Sequence, residues 1–389
     1  MKSPQLPAYS WRDICRSQNK PSYLIVKPKF SSLMSEELKQ LRNQIDAIDN
    51  ELLQLISKRA GLAQQIGKIK KSGIIYRPER EAQILTRMQE HNPGPIGNKH
   101  IKQLFIEIMS VCRALEKPMS VAYLGPSGTF SEDAALKRFG SAITTIACDS
   151  IDEVFRAVET DTANYGVVPV ENSTEGAVGR TMDLLLQTSL IICGEIQLAI
   201  HQFLMAQQTE LTQINKIYTH PQSFAQCHQW LRINLPQISD IAFVPTASNA
   251  DAAQQASIDK HAAAIASQRA AELFGLSICA ENIEDDPKNT TRFLIIGKQT
   301  VDISGKDKTS LIMSTNNRSG AIYTLLKPLA QHGVSMSRLE SRPSRTGLWQ
   351  YVFFVDIEGH QQNENVATAL AELRDKAAFL KILGSYPAT

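Results

Sequence analysis

Apolar residues recur from Leu38 at Leu41, Ile45, Ile48, Leu52 and Leu55, then at Leu62, Ile66 and Ile69. The steps alternate three and four residues, the seam of a long packed helix. About 35 residues at ~1.5 Å each make a rod of ~50 Å, longer than a small domain is wide. The pattern therefore predicts packing against a second copy of the same helix. Arg59 interrupts the seam, and an arginine buried there needs an anion. Lys70 lies about three turns further on and on nearly the same face, whereas Arg42 points ~100° away, toward a partner's site in a helix-paired dimer. Pro78 suits the first turn of a second helix carrying Arg80 and Glu81. Ile101, Leu104, Phe105, Ile108, Cys112 and Leu115 predict a third helix over 101–116, stopped by Lys117 and Pro118. Cys112 and Glu116 are one turn apart on it.

From Ser120 the pattern changes to short apolar strands alternating with helices. Strands are predicted at 120–125, 165–170, 216–220, 241–246 and 294–297. Thr129 with Glu132, and Ser150 with Glu153, stand at capping-box spacing before two of the helices. Repeated strand–loop–helix units predict an α/β region with ligand groups on loops at the strands' carboxyl ends. The charged stretch 304–308 reads as a linker. The remaining ~80 residues read strand, helix, strand, strand (349–356), helix, strand, the βαββαβ order of a ferredoxin-like unit. Residues 1–33 lack periodicity; a disordered tail, a translation start at Met34 and an organellar transit peptide all fit them. The expectation is that they contribute to no activity.

A hydrophobic content of 43%, a charged content of 21% and a net charge of +2 describe an ordinary globular protein. They give no electrostatic footprint for nucleic acid or a membrane surface. Cys15, Cys112, Cys148, Cys193, Cys227 and Cys279 are scattered without metal or redox spacing, which predicts reduced thiols in a cytoplasm. The histidines form no metal-binding pattern, and GPSG at 125–128 is a lone glycine turn without a GxGxxG or P-loop companion. No metal or cofactor is expected.

Candidate chemistry begins with DDPKNTTRF at 285–293. Asp286, Pro287 and Asn289 form turns; two threonines and Arg292 then enter a strand. A hydroxyl beside a guanidinium suits a small carboxylate substrate, one passing a proton and the other gripping the anion. A polar turn entering a strand is the plainer alternative.

Three resemblances sharpen this. LRNQIDAID (41–49), SKRAGLAQQIGKIK (57–70) and RPERE (77–81) resemble the all-helical, intertwined-dimer chorismate mutases. That reaction is pericyclic; it needs the dianion locked in a folded conformer and donors at the ether oxygen. The resemblance implies that Arg59 and a partner's Arg42 hold the carboxylates and that Lys70 and Glu116 contact the ether oxygen. It also implies that Glu81 binds the ring hydroxyl, with Arg80 and Cys112 lining the site. Bacterial relatives often carry Gln in place of Glu116, which must be protonated to donate.

GPSGTFS (125–131), VPVENSTEG (168–176), THPQSFAQC (219–227) and NTTRF (289–293) resemble, in order, the motifs of prephenate dehydratase. The family fold is two α/β lobes, like a small-molecule binding protein, with substrate in the cleft. By resemblance Thr291 donates the proton, Arg292 holds carboxylate, and Asn172, Ser173, Thr219 and Gln226 bind substrate. Gly320, Ala321 and Ile322, with Leu339, Glu340, Ser341, Arg342 and Pro343, resemble the phenylalanine-binding motifs of an ACT regulatory domain. The expected domains are 34–117, 119–298 and 306–389. The expected activity is chorismate to prephenate to phenylpyruvate, with phenylalanine as effector, in a homodimer or higher oligomer. An arogenate dehydratase, or a non-catalytic amino-acid sensor, are the alternatives.

Overall fold

The computed structural model describes residues 30–69, 76–208, 213–235, 240–315, 318–343 and 351–389, with side chains from Glu36 onward. Expectations for residues 1–29, Lys70 and Trp349 lie outside the described residues. The chain separates into two compact units, Met1–Ser57 and Lys58–Thr389.

Helix α1 (Phe30–Ile69) begins ahead of Met34 and carries the predicted seam. Within the first unit Leu38, Leu41, Ile45, Ile48 and Leu52 are each at least half exposed, so this apolar face is left without cover. In the second unit the end of α1 is followed by α2 (Pro78–Glu90) and α3 (Asn98–Glu116). No helix among the described residues is long and apolar enough to cross a membrane.

The next segment runs β1 (Ser120–Leu124), α4 (Phe130–Phe139), β2 (Thr144–Cys148), α5 (Ile151–Glu159), β3 (Tyr165–Asn172), β4 (Gly176–Ala177), α6 (Gly179–Gln187) and β5 (Ile191–Ala199). A second lobe follows: β6 (Phe203–Ala206), β7 (Lys216–Thr219), α7 (Pro221–Gln226), α8 (His228–Asn234), β8 (Ala242–Pro245), α9 (Asn249–Ala256), β9 (Ala262–Ala266), α10 (Gln268–Phe274) and β10 (Ser277–Ala280). Strand β11 (Thr290–Gly297) then returns to the first lobe. The two mixed sheets have orders β2-β1-β3-β11-β5, with β4 beside β3, and β10-β6-β9-β7-β8. The chain crosses between lobes twice, after β5 and before β11, and this makes the cleft.

Capping follows the predicted spacing at α5, where Ser150 Oγ accepts from Glu153 N–H and Glu153 accepts from Asp149 N–H. At α4 it shifts: Thr129 Oγ1 donates to the Leu124 carbonyl and Glu132 accepts from Gly128 N–H.

The last segment is β12 (Asp307–Ser314), α11 (Ala321–Gln331), β13 (Met336–Pro343), β14 (Tyr351–Glu358), α12 (Glu364–Lys376) and β15 (Phe379–Pro387), in the sheet order β13-β14-β12-β15. The expected linker ends early, because Asp307 and Lys308 already belong to β12. One face of this sheet packs under α11 and α12 through Leu311, Leu325, Val355 and Leu370. Its other face shares a core with the first lobe, where Ile312, Val352, Phe354 and Leu383 join Val154, Val168, Leu294 and Ile296. The approach is so close that a Cβ on Gly384 would land on the Ile192 carbonyl.

The helical segment is docked as well. Tyr76 is fully buried against the Phe139 and Tyr165 rings, at 4.9 and 5.1 Å between centroids. Its carbonyl accepts from Gln299 Nε2 at 2.8 Å.

Candidate active sites

Two cavities collect eight of the thirteen residues expected to act on the two substrates. The first, about 370 Å³, lies among the end of α1, α2 and α3. Arg59 reaches it from α1, where its Nη1 donates to the buried Cys112 Sγ at 2.9 Å. The anion expected for Arg59 is replaced by a soft thiol acceptor, which leaves its charge uncompensated by that contact. Glu116, one turn beyond Cys112, packs against Gly67; a Cβ there would stand 3.1 Å from Glu116 Cγ. Arg80, Glu81 and Cys112 also line the cavity. Arg42 is exposed on α1 in the first unit, and Lys70 is outside the described residues.

Sequence reasoning missed Arg77, Arg87 and Arg113 on the same wall. Arg87 follows Arg80 by two helical turns, so 3.6-residue spacing alone could have found it. Arg113 is buried; it pairs with Glu81 Oε1 and donates through Nη2 to the Phe139 carbonyl. Five arginines against Glu81 and Glu116 give the lining a surplus of positive charge, suited to a dianion.

The second cavity, about 790 Å³, lies between the lobes and is built on the β3–β11 pair. Thr291 and Asn172 are cross-strand partners there. Asn172 Oδ1 accepts from the backbone N–H groups of Thr174 and Glu175 at 3.0 and 3.1 Å. Backbone N–H groups only donate, so this fixes the amide's orientation. Its Nδ2 therefore donates, to Thr291 Oγ1 at 2.8 Å and to Asn289 Oδ1 at 2.9 Å. The Thr291 oxygen accepts from Asn172 and keeps its own proton to give away. Gln226 completes the network: its Oε1 accepts from Asn289 Nδ2 at 3.1 Å.

Three expected substrate contacts are placed elsewhere. Along a strand successive side chains face opposite ways, so Arg292 turns its back on the cavity that Thr291 enters. Its Nε donates to Glu195 at 2.7 Å, its Nη1 to Asp356 at 2.6 Å and its Nη2 to the Tyr386 hydroxyl at 3.1 Å. Burial works against charge on Arg292 and Glu195 alike. Even so, the mutual pairing, with Lys308 at 2.7 Å from Glu195, holds the glutamate below its ordinary range and the arginine above its own. Arg292 is thus corrected from a carboxylate holder to the centre of a buried ionic cluster. Ser173 accepts from Thr290 N–H at 3.0 Å and staples that loop outside the lining. Thr219 is buried at the end of β7, its hydroxyl donating to the His220 carbonyl at 3.1 Å.

Among the described residues no arginine or lysine lines this cavity; the charged side chains there are Asp149, Glu175 and Asp251, beside His220. The groups facing it that favour an anion are helix N-termini. Thr129, Phe130 and Ser131 open α4, and Ser248 and Asn249 open α9. Both ends carry positive helix dipole, and at α9 Ser248 Oγ already accepts from Asp251 N–H. The signal for this was in the sequence, as GTFSED and TASNADA read as capped helix starts.

Among the expected effector residues, Gly320 adopts a left-handed φ of 74° before α11. Leu339, Ser341 and Pro343 are exposed on β13. Arg342 faces the other way and donates to Asp183 at 3.2 Å, so its guanidinium ties β13 to α6.

Comparison with known proteins agrees with this division. The chorismate mutase type II family matches residues 41–117, the prephenate dehydratase family 121–301 and the ACT domain family 309–375. The bifunctional chorismate mutase/prephenate dehydratase of Neisseria gonorrhoeae is 49% identical over 360 residues, 92% of this chain and 99% of that protein. The prephenate dehydratase of Arthrobacter aurescens, solved with L-Phe, superposes with a TM-score of 0.63 at 34% identity, over 69% of this chain and 90% of that one. A protein described as a novel type of quorum quenching acylase has the same TM-score at 32% identity, over 69% of this chain and 98% of that one.

Proposed function

The chain belongs to the bifunctional chorismate mutase/prephenate dehydratases, and from that premise we propose how its two cavities divide the chemistry. It rearranges chorismate to prephenate and converts prephenate to phenylpyruvate, with an ACT domain suited to phenylalanine feedback.

The helical segment is read as an intertwined three-helix dimer, the middle segment as a two-lobed, binding-protein-like dehydratase and the last as a ferredoxin-like unit, with boundaries 34–117, 119–298 and 306–389. In the arginine-rich cavity Arg59, and Arg42 of a second copy, hold the carboxylates of chorismate. The ether carbon–oxygen bond breaks as the new carbon–carbon bond forms. Lys70 and Glu116 contact that oxygen, where negative charge grows. Glu81, oriented by Arg113, takes the ring hydroxyl. The reaction's main cost is conformational, so the cavity acts by positioning as well as by these contacts.

In the cleft, prephenate places its ring hydroxyl at Thr291 and its carboxylates toward the starts of α4 and α9. Thr291 protonates the departing hydroxyl, which leaves as water, while the ring carboxylate leaves as carbon dioxide and its bonding electrons aromatise the ring. The observation that carries this is the Asn172-to-Thr291 hydrogen bond, which leaves the threonine as donor. An acyl-transfer nucleophile needs a base at its hydroxyl, and Asn172 supplies an N–H instead. That favours dehydration over acylase chemistry.

Thr291→Ala tests the assignment. Given chorismate, the variant is expected to accumulate prephenate, with phenylpyruvate formation down by about 10²-fold or more and mutase turnover unchanged. A dehydratase rate near native would remove Thr291 from the mechanism.

A further inference from the structure

Behind the Thr291–Asn172 pair, on the opposite face of the same two strands, Arg292 and Glu171 are also cross-strand partners. Each reaches out of its own sheet. Arg292 Nη1 donates to Asp356 at 2.6 Å, and Arg338 Nε lies 2.9 Å from Glu171 Oε2. Arg338 and Asp356 are in turn register partners on β13 and β14. Four charges of alternating sign therefore form a square with two corners on each sheet. Arg338 immediately precedes Leu339, the first residue of the candidate effector motif.

We propose that Glu171, Arg292, Asp356 and Arg338 are positioning residues that couple the regulatory strand β13 to the dehydratase pair Asn172 and Thr291. The proposal rests on reading the C-terminal domain as a phenylalanine site.

The corners are unequal, and that makes the square a coupler. Arg292 is locked by Glu195, Tyr386 and Asp356 together, and its side chain is 11% exposed. Glu171 is 40% exposed, whereas Arg338 is 13% exposed and its buried Nε and Nη2 have no hydrogen-bond partner among the described residues, so the ion pair with Glu171 is its hold. Breaking the first contact strands buried charge on both sides, whereas breaking the second frees Glu171 to water and strands only Arg338. The register also slips beside both arginines, between Arg292 and Phe293 and between Met336 and Arg338; such irregularities let a strand bend locally. A shift of β13 thus moves Glu171, and with it the adjacent Asn172 that holds Thr291. An effector that favours one setting of β13 then has differential affinity for two settings of the catalytic pair, which is what inhibition requires.

The full-length Arg338→Ala variant tests this through three readings: phenylalanine binding by calorimetry, dehydratase inhibition by phenylalanine, and hydrogen exchange of the 289–293 amides without ligand. Binding should stay within about threefold of native while the inhibitory concentration rises about tenfold or more. The amides should exchange about threefold faster. The swapped double variant Glu171→Arg with Arg338→Glu should bring inhibition back toward native. Arg338→Lys, which keeps the charge without the fork, serves if the alanine variant does not fold, and should show the same changes in smaller degree. Native inhibition and native exchange in Arg338→Ala overturn the proposal. If phenylalanine neither binds nor inhibits the native protein, the effector reading fails, and exchange alone decides: faster exchange upholds the link and native exchange overturns it.

Discussion

Asp133, in the first turn of α4, shows how a single group shapes the protein's response to pH. Burial pushes its carboxyl up from 3.8 to about 7; Arg269 opposes the shift, while Glu132 and Glu272 add to it. A carboxyl with a raised folded-state value contributes stability below its unfolded value and loses it as pH climbs through the folded one. The loss runs from about pH 4 to 7. Asp133→Asn should therefore be the more stable form at pH 8, by on the order of 1–2 kcal/mol after allowing for partial exposure. Thermal melts of both forms across that range would show it; parallel Tm curves would refute it. Glu195 acts with the opposite sign, since its lowered value gives stability that is lost only in acid. Residue chemistry was only half legible beforehand. Thr291 and Arg292 were both marked by NTTRF, yet neighbours in a strand face opposite ways, and only the register says which face meets the cleft.

At the level of elements, α1 was the most legible and remains the least covered. Its leucine and isoleucine seam followed from spacing alone, and the structure leaves those side chains at least half exposed. Burying one such side chain is worth about 1.5–3 kcal/mol, so a second copy of the helix has ample reason to bind. Leu52→Glu puts a charge into that seam. On the proposal that Arg42 of a second copy completes the site, the variant should elute as a monomer and lose mutase kcat/KM by about 10²-fold. Its dehydratase activity should hold within about threefold. A stable dimer with native mutase activity would contradict the pairing. Strand β13 was legible as a strand but not as two faces. Its alternation sends Arg338 to Glu171 on β3, Arg342 to Asp183 on α6, and Leu339, Ser341 and Pro343 outward.

Across the whole molecule, the third sheet is no removable appendage. It contributes Ile312, Val352, Phe354 and Leu383 to a core it shares with the first lobe. It also supplies Asp356, Lys308 and Tyr386 to the Arg292–Glu195 cluster. A protein ended at Ser304 keeps both buried charges and loses most of their partners, a change that costs about 3–5 kcal/mol for a single broken pair. Its dehydratase segment should melt more than about 10 °C below the full chain, as calorimetry would record. A native Tm would mean the shared core contributes little. Phenylalanine insensitivity is therefore better sought with point substitutions than by truncation.

Periodicity settled the elements because it is local. A three-four seam, a capped helix start and a βαββαβ order each need only neighbouring residues to be read. Motif spacing placed the two chemistries in separate segments for the same reason. What only tertiary structure decided were the relations between strands distant in sequence. Asn172 meets Thr291, Glu171 meets Arg338, and Arg292 meets Asp356. Each depends on sheet register and on which face of one sheet packs against another. Neither is written in any short window, since a one-residue change of register turns every side chain to the opposite face.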